Sequence, residues 1–217
     1  MNYGSIADGM PEDEAYRIVR SRIDLSRLAP LSRRVTERVI VASADFDYAT
    51  DLVCDERVLA AGVAEMADGV AVVADGVTVA AGITGYPVIC TSEDSLTERL
   101  ARTAGISKAA AAVRLAFGQA GPGAVWVVGC AAEALAEIMS RNVHPALVIA
   151  LPAGLAGAAE AKDALRASGL PALTNVSEKG GAAVAAAAFS ALADVARAAA
   201  GAESPGTGAA GDGPGSH

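Results

Sequence analysis

The sequence predicts one α/β domain of three layers, a mainly parallel sheet flanked by helices. Short apolar runs, AVWVV (124–128), ALVIAL (146–151) and PALT (171–174), alternate with helical stretches, the pattern of a sheet covered on both faces. The 217 residues are 53% hydrophobic and 19% charged, enough to bury one core and too apolar for a disordered chain. Aromatics make up only 4%, so Ala, Val, Leu and Ile must build that core.

Taken in order, residues 1–10 read as a flexible N-terminus. Glu12 to Ile23 is helical, because Ala15, Ile18, Val19 and Ile23 share one face. A second helix spans Leu31 to Arg38 and feeds VIVASADFDYAT, expected to begin as a strand or tight connection. Glu56 to Met66 is helical, Gly69 to Ala74 a buried strand, Val77 to Ala81 a short helix, and Val88 to Cys90 a strand. Ser95 with Glu98 fits a capping box, and Ser107 caps a helix through Phe117. After the strand at 124–128 come helices at Ala131–Ser140, Ala158–Ala167 and Gly181–Ala199, separated by the other two strands. The domain therefore spans 11–200. Residues 201–217, with six glycines and two prolines, read as a disordered tail. In such a sheet, connections are right-handed and ligands bind beyond the carboxyl ends of the strands.

A net charge of −8 argues against nucleic-acid binding, which needs a broad cationic field. An acidic ligand would need a local basic pocket. Three separated cysteines without a CxxC pair suit reduced thiols, and two histidines (His144 and His217) make a zinc or iron site improbable on number alone. No signal peptide is legible, and the apolar runs read as interrupted short of the roughly 20 residues of a membrane span, so a cytoplasmic location is expected.

Four places carry chemistry by residue type. Ser177-Glu178-Lys179-Gly180-Gly181 follows a strand and opens a helix, where glycines admit a ligand to the backbone and Lys179 adds charge; a plain turn reads the same way. Cys130, at the turn after 124–128, is either a thiol activated by a helix N-terminus or a small buried residue. Asp45, Asp47 and Tyr48 could serve proton transfer or a cation, with a helix cap the favoured reading. Arg114, amid Ala, Val and Leu, points to a salt link, an anion contact or a side chain reaching to solvent. His144 precedes the strand at 146–151, at the sheet's amino end, and reads as a surface residue.

Several motifs together resemble the precorrin-8X methylmutases (precorrin isomerases) of cobalamin biosynthesis. They are Arg38-Val-Ile with Ala-Asp-Phe-Asp-Tyr-Ala (44–49), Val-Ala-Ala-Gly-Ile (79–83), Gly105-Ile106 with AAAVRLA (110–116), Pro152, Gly154, GAAEAK (157–162), Gly169-Leu-Pro and Lys179-Gly-Gly. They occur in the family's order across about 11–199. The resemblance implies a homodimer with its site near the subunit interface, and a methyl shift from C-11 to C-12 of a corrin precursor, yielding hydrogenobyrinate or its cobalt counterpart. It implies no separate organic cofactor and no protein-bound metal. The substrate is a tetrapyrrole bearing many carboxylates. Its expected contacts here are Arg38, Ser43, Thr84, Arg114, Lys179, Gly180 and Gly181.

The chain departs from that pattern where the chemistry belongs. The family's arginine–valine–isoleucine is followed by a histidine, taken as the catalytic acid; here the position is Val41. Histidine, with an unperturbed pKa of about 6.5, can protonate a ring near neutral pH, and valine cannot. Ala15, Val77-Thr78, Cys130-Ala131-Ala132, Glu178 and Ala182 also replace residues usual in the family. Two main readings result. One is a methylmutase using Asp45, Tyr48 or Cys130 as its acid. The other is a catalytically silent tetrapyrrole-binding protein, a carrier or partner of an active paralogue. A third, an enzyme for a less carboxylated ligand, draws on the apolar Val41 and Val77.

Overall fold

The computed structural model describes residues 11–141 and 143–202. The expected loose segment 1–10 lies outside the described residues. So do His217 and the expected tail from 203 onward. Along the chain run α1 (Pro11–Arg22), α2 (Pro30–Ser43), α3 (Tyr48–Asp51), β1 (Leu52–Val53), α4 (Glu56–Ala67), β2 (Val72–Ala74), α5 (Val77–Gly82) and β3 (Val88–Ile89). There follow α6 (Ser95–Ala104), α7 (Lys108–Ala120), β4 (Val125–Val128), α8 (Glu133–Ser140), β5 (Leu147–Ala150), α9 (Ala158–Ala167), β6 (Ala172–Asn175) and α10 (Ala182–Ala202).

The six strands are ordered β1-β6-β5-β4-β2-β3, parallel except for β1, which runs antiparallel to β6 at one edge. The α/β, mainly parallel, single-domain expectation holds. The two-residue β1 carries too short a pattern to be read from sequence. Successive strand residues face opposite layers. Val125, Val127, Leu147 and Ile149 pack into the layer containing α2, α4 and α10, while Trp126, Val128 and Val148 pack against α7, α8 and α9.

Four local expectations change. Val39 to Ser43 continue α2 rather than starting a strand. Val35, Val39 and Ile40 are each almost fully buried on one helical face, and that packing overrides β-branched propensity. The helix stops at Ala44, which adopts φ 54° and donates its N–H to the Ile40 carbonyl. Ser95 is inside α6, behind Asp94 at the cap position, and no side-chain capping bond forms. Gly201 and Ala202 belong to α10, not to a tail. Finally, α10 is long and apolar enough by composition to cross a membrane, contrary to the sequence reading. It packs instead against α2, α4, α5 and the sheet, with Ala185, Phe189, Leu192 and Ala196 fully buried.

Strands β2 and β4 are neighbours, yet β2 leads outward to β3 and β4 leads the other way to β5 and β6. The crevice of this α/β sheet therefore opens between their carboxyl ends. Gly129, just beyond β4, has no room for a side chain: a Cβ there would strike Ala182, Ala185 and Val79. This close approach brings the start of α10 over the sheet edge.

Candidate functional site

Asp75 spans the crevice. It follows β2, and its carboxylate accepts the backbone N–H groups of Gly129 (3.1 Å), Cys130 (2.8 Å) and Ala131 (2.8 Å) beyond β4. Burial pushes its pKa up, and these three donors work against that. The backbone donors that would meet an anion after β4 are thus already filled by the protein's own carboxylate. Cys130 is exposed as a residue, but its thiol tucks against Gly76. Desolvation of that thiol and then the Asp75 charge raise its pKa, the reverse of an activated thiol.

The turn after β6 is held from three sides. Gly180 lies at φ 147°, with the Leu151 carbonyl where a Cβ would sit, and Gly181 donates to the same carbonyl at 2.7 Å. Gly154 donates to the Glu178 carbonyl, joining this turn to the one after β5. Below them, Lys162 of α9 is completely buried and donates to Asn175 Oδ1 (2.7 Å) and to the carbonyls of Ser177 (2.6 Å), Lys179 (2.9 Å) and Pro152 (3.2 Å). Burial lowers its pKa to about 8, with the nearby Asp51 charge opposing and Arg166 assisting. Asp51 in turn accepts from Asn175 Nδ2, from the Val176 and Ser177 N–H groups, and from the Ser177 hydroxyl. Burial would raise the Asp51 pKa, but these donors outweigh it and hold it low.

Sequence reasoning gave neither Lys162, the last residue of the GAAEAK motif, nor Asp51 a role. For Lys162 a signal existed: with Ala158 and Leu165 it occupies the buried stripe of α9, where an apolar residue is expected.

Lys179 points out of this turn to Asp45 (2.8 Å) and Asp47 (2.5 Å). Its hydrogen bonds to Asp45 and then to Asp47 raise its pKa, and Lys179 in turn holds Asp45 low. The cap reading is corrected for Asp47, which stands at the N-cap position of α3 without a side-chain capping bond, whereas Asp45 Oδ1 accepts the Asp47 N–H (3.0 Å) just ahead of that helix; both carboxylates also serve Lys179. Tyr48 is buried, and desolvation, then the charges of Asp45 and Asp51, raise its pKa to about 12.

Arg38 and Val41 lie on α2, three residues apart and so on neighbouring positions of one face. Arg38 is half-buried and donates to the Tyr16 hydroxyl at 3.1 Å. Val41 is half-buried against the α2–α10 core. Ser43 is spent locally, donating to the Val39 carbonyl and accepting from the Asp45 N–H. Thr84 is exposed, two residues before Tyr86, whose ring meets Phe189 of α10 edge-on at 5.5 Å.

Arg114 lies on the other face of the sheet, paired through Nε with Glu137 at 2.7 Å; Arg141 shares that carboxylate. Of the alternatives open in the sequence, the salt link is the one formed. His144 is exposed, as expected, with φ 44°. Among the described residues no group of three or more His, Cys, Asp or Glu is placed to hold a metal ion.

The structure therefore brings Asp45, Tyr48, Lys179, Gly180 and Gly181 into one neighbourhood, with Arg38 and Val41 on the helix that leads to it. It leaves Arg114 apart. Comparison with known proteins supplies the context. The model of the precorrin-8X methylmutase family matches residues 12–195. The chain is 32% identical over 184 residues to the cobalt-precorrin-8 methylmutase of Salmonella typhimurium, covering 81% of this chain and 87% of that one. It is 31% identical over 211 residues to the precorrin-8X methylmutase of a Sinorhizobium species, covering 88% and 97%. The crystal structure of the precorrin-8X methylmutase of Thermus thermophilus superposes with a TM-score of 0.79 at 28% identity, covering 87% of this chain and 96% of that one.

Proposed function

The chain belongs to the precorrin-8X methylmutase family of cobalamin biosynthesis, and from that premise we propose that it binds a precorrin-8-type tetrapyrrole without itself moving the methyl group. One observation carries the second half: Val41, a hydrocarbon, stands where the family resemblance calls for the histidine acid. A methyl shift assisted by ring protonation needs a donor titrating near neutrality, and such catalysis is worth about 10²–10⁴-fold.

The three alternative donors are poorly suited. Asp45 is held ionised by Lys179. Tyr48 is buried, with a pKa near 12, and gives up its proton reluctantly. Cys130 has a raised pKa and sits at the β2–β4 crevice beside Asp75. The competing reading, an active methylmutase with a different acid, rests on Asp75, a carboxyl whose pKa burial pushes upward. Its three backbone donors favour the anion and oppose that role. In the silent reading the protein serves as a carrier, or as the partner of an intact paralogue in a mixed dimer, within the cytoplasm.

The test is incubation with precorrin-8X, following the spectral change to hydrogenobyrinate for the wild type and for Val41→His. The expected result is ring binding by both and turnover by the histidine variant alone. Turnover by the wild type at the variant's rate overturns the silent reading. Failure of both proteins to bind the ring overturns the tetrapyrrole reading.

A further inference from the structure

Between α1, the connection at 23–29, α2 and α10 lies a groove of about 1140 Å³. That is slightly above the roughly 300–1,000 Å³ of small-molecule sites. Six arginines line it against three carboxylates, Asp24, Glu37 and Asp194, in a chain whose net charge is −8. The concentration is local, because α1 and α2 contribute all six.

Their commitments differ. Arg20 makes two bonds to Glu37, at 3.1 and 2.7 Å. Arg22 lies over the Phe46 ring, 5.8 Å from its centroid. Arg33 and Arg34 are exposed, and their guanidinium groups have no hydrogen-bond or ion-pair partner among the described residues. Arg34 and Arg38 are one turn apart on α2, and Val41 follows on the same side. Planar guanidinium forks match carboxylates in pairs, which lysines do not. By contrast, the sequence-predicted cation Lys179 is already compensated by two aspartates.

We propose that this groove, through Arg33 and Arg34, seats the carboxylate side chains of the ring. The proposal rests on the tetrapyrrole reading, and its test separates the two. Affinity for hydrogenobyrinate, and for benzenehexacarboxylate as a ring-free polycarboxylate, is measured at low salt. The proteins are the wild type, Arg33→Gln/Arg34→Gln, and Arg99→Gln/Arg102→Gln, which removes the same charge from exposed positions on α6.

The groove variant should bind hydrogenobyrinate about tenfold more weakly than the wild type, and the α6 variant should change by no more than about twofold. Equal ring affinity in the groove variant and the wild type overturns the groove and leaves the tetrapyrrole reading standing. No ring binding by the wild type overturns the groove's role together with the tetrapyrrole reading, even where the groove variant loses benzenehexacarboxylate binding. Binding of neither probe by the wild type overturns both.

Discussion

The Lys179 ammonium lies 2.8 Å from the Asp45 carboxylate, joining positions 134 residues apart. This pair, with Asp47 at its side, ties the end of α2 to the start of α10. It also sets two negative charges beside the one lysine that the sequence offers to an acidic ligand.

Removing those charges should therefore help a polyacid bind. Asp45→Asn combined with Asp47→Asn is expected to raise affinity for hydrogenobyrinate about threefold or more at low salt, with the gain fading as salt screens it. A titration showing unchanged or weaker affinity would contradict this account of Lys179.

Lys162 is expected to matter for stability. Lys162→Met leaves the Asn175 side chain and three carbonyls without that donor, at a cost of about 2 kcal/mol, or roughly 4–8 °C in Tm. The pH dependence has a definite sign. Its pKa is about 8 when folded against 10.5 as the ordinary value. Between these the unfolded chain binds more protons, so this group makes stability rise with pH from about 8 to about 10.5. Urea unfolding across that range should show the rise in the wild type and its loss in Lys162→Met; parallel profiles would refute it.

Asp51 works in the opposite limb. Its folded pKa lies below 3.8, so its contribution is complete above that value and disappears as pH falls through the lower, folded one. Asp51→Asn should cost about 2 kcal/mol at pH 7, because four donors lose a charged acceptor. The variant should also have a flatter acid-unfolding limb. Thermal melts from pH 7 to pH 2 measure both.

Arg114 should prove structural. Its guanidinium holds Glu137, 11% exposed, between α7 and α8, with Arg141 as a second partner. Arg114→Gln is expected to lower stability by about 1 kcal/mol and leave ring affinity within twofold. A large loss of affinity with unchanged stability would reverse that assignment.

The alternation of apolar strands with helices was legible because it is local. Val125–Val128, Leu147–Ala150 and the helices around them show their periods within a few residues, as does the Ser107 cap. The valine at position 41 is likewise a fact of sequence. Where burial competes with propensity, local reading failed: Val39 to Ser43 became helix because that face of α2 packs against α10 and α4 in the core. Pairings across the chain were out of reach. No spacing rule connects Lys179 with Asp45, Lys162 with the turn after β6, or Arg114 with Glu137. No sequence pattern gathers the arginines of α1 and α2; the packing of those helices sets them around one groove. Composition and periodicity determine which segments form and which faces are apolar, but electrostatics acts through space, and only the folded chain sets those distances.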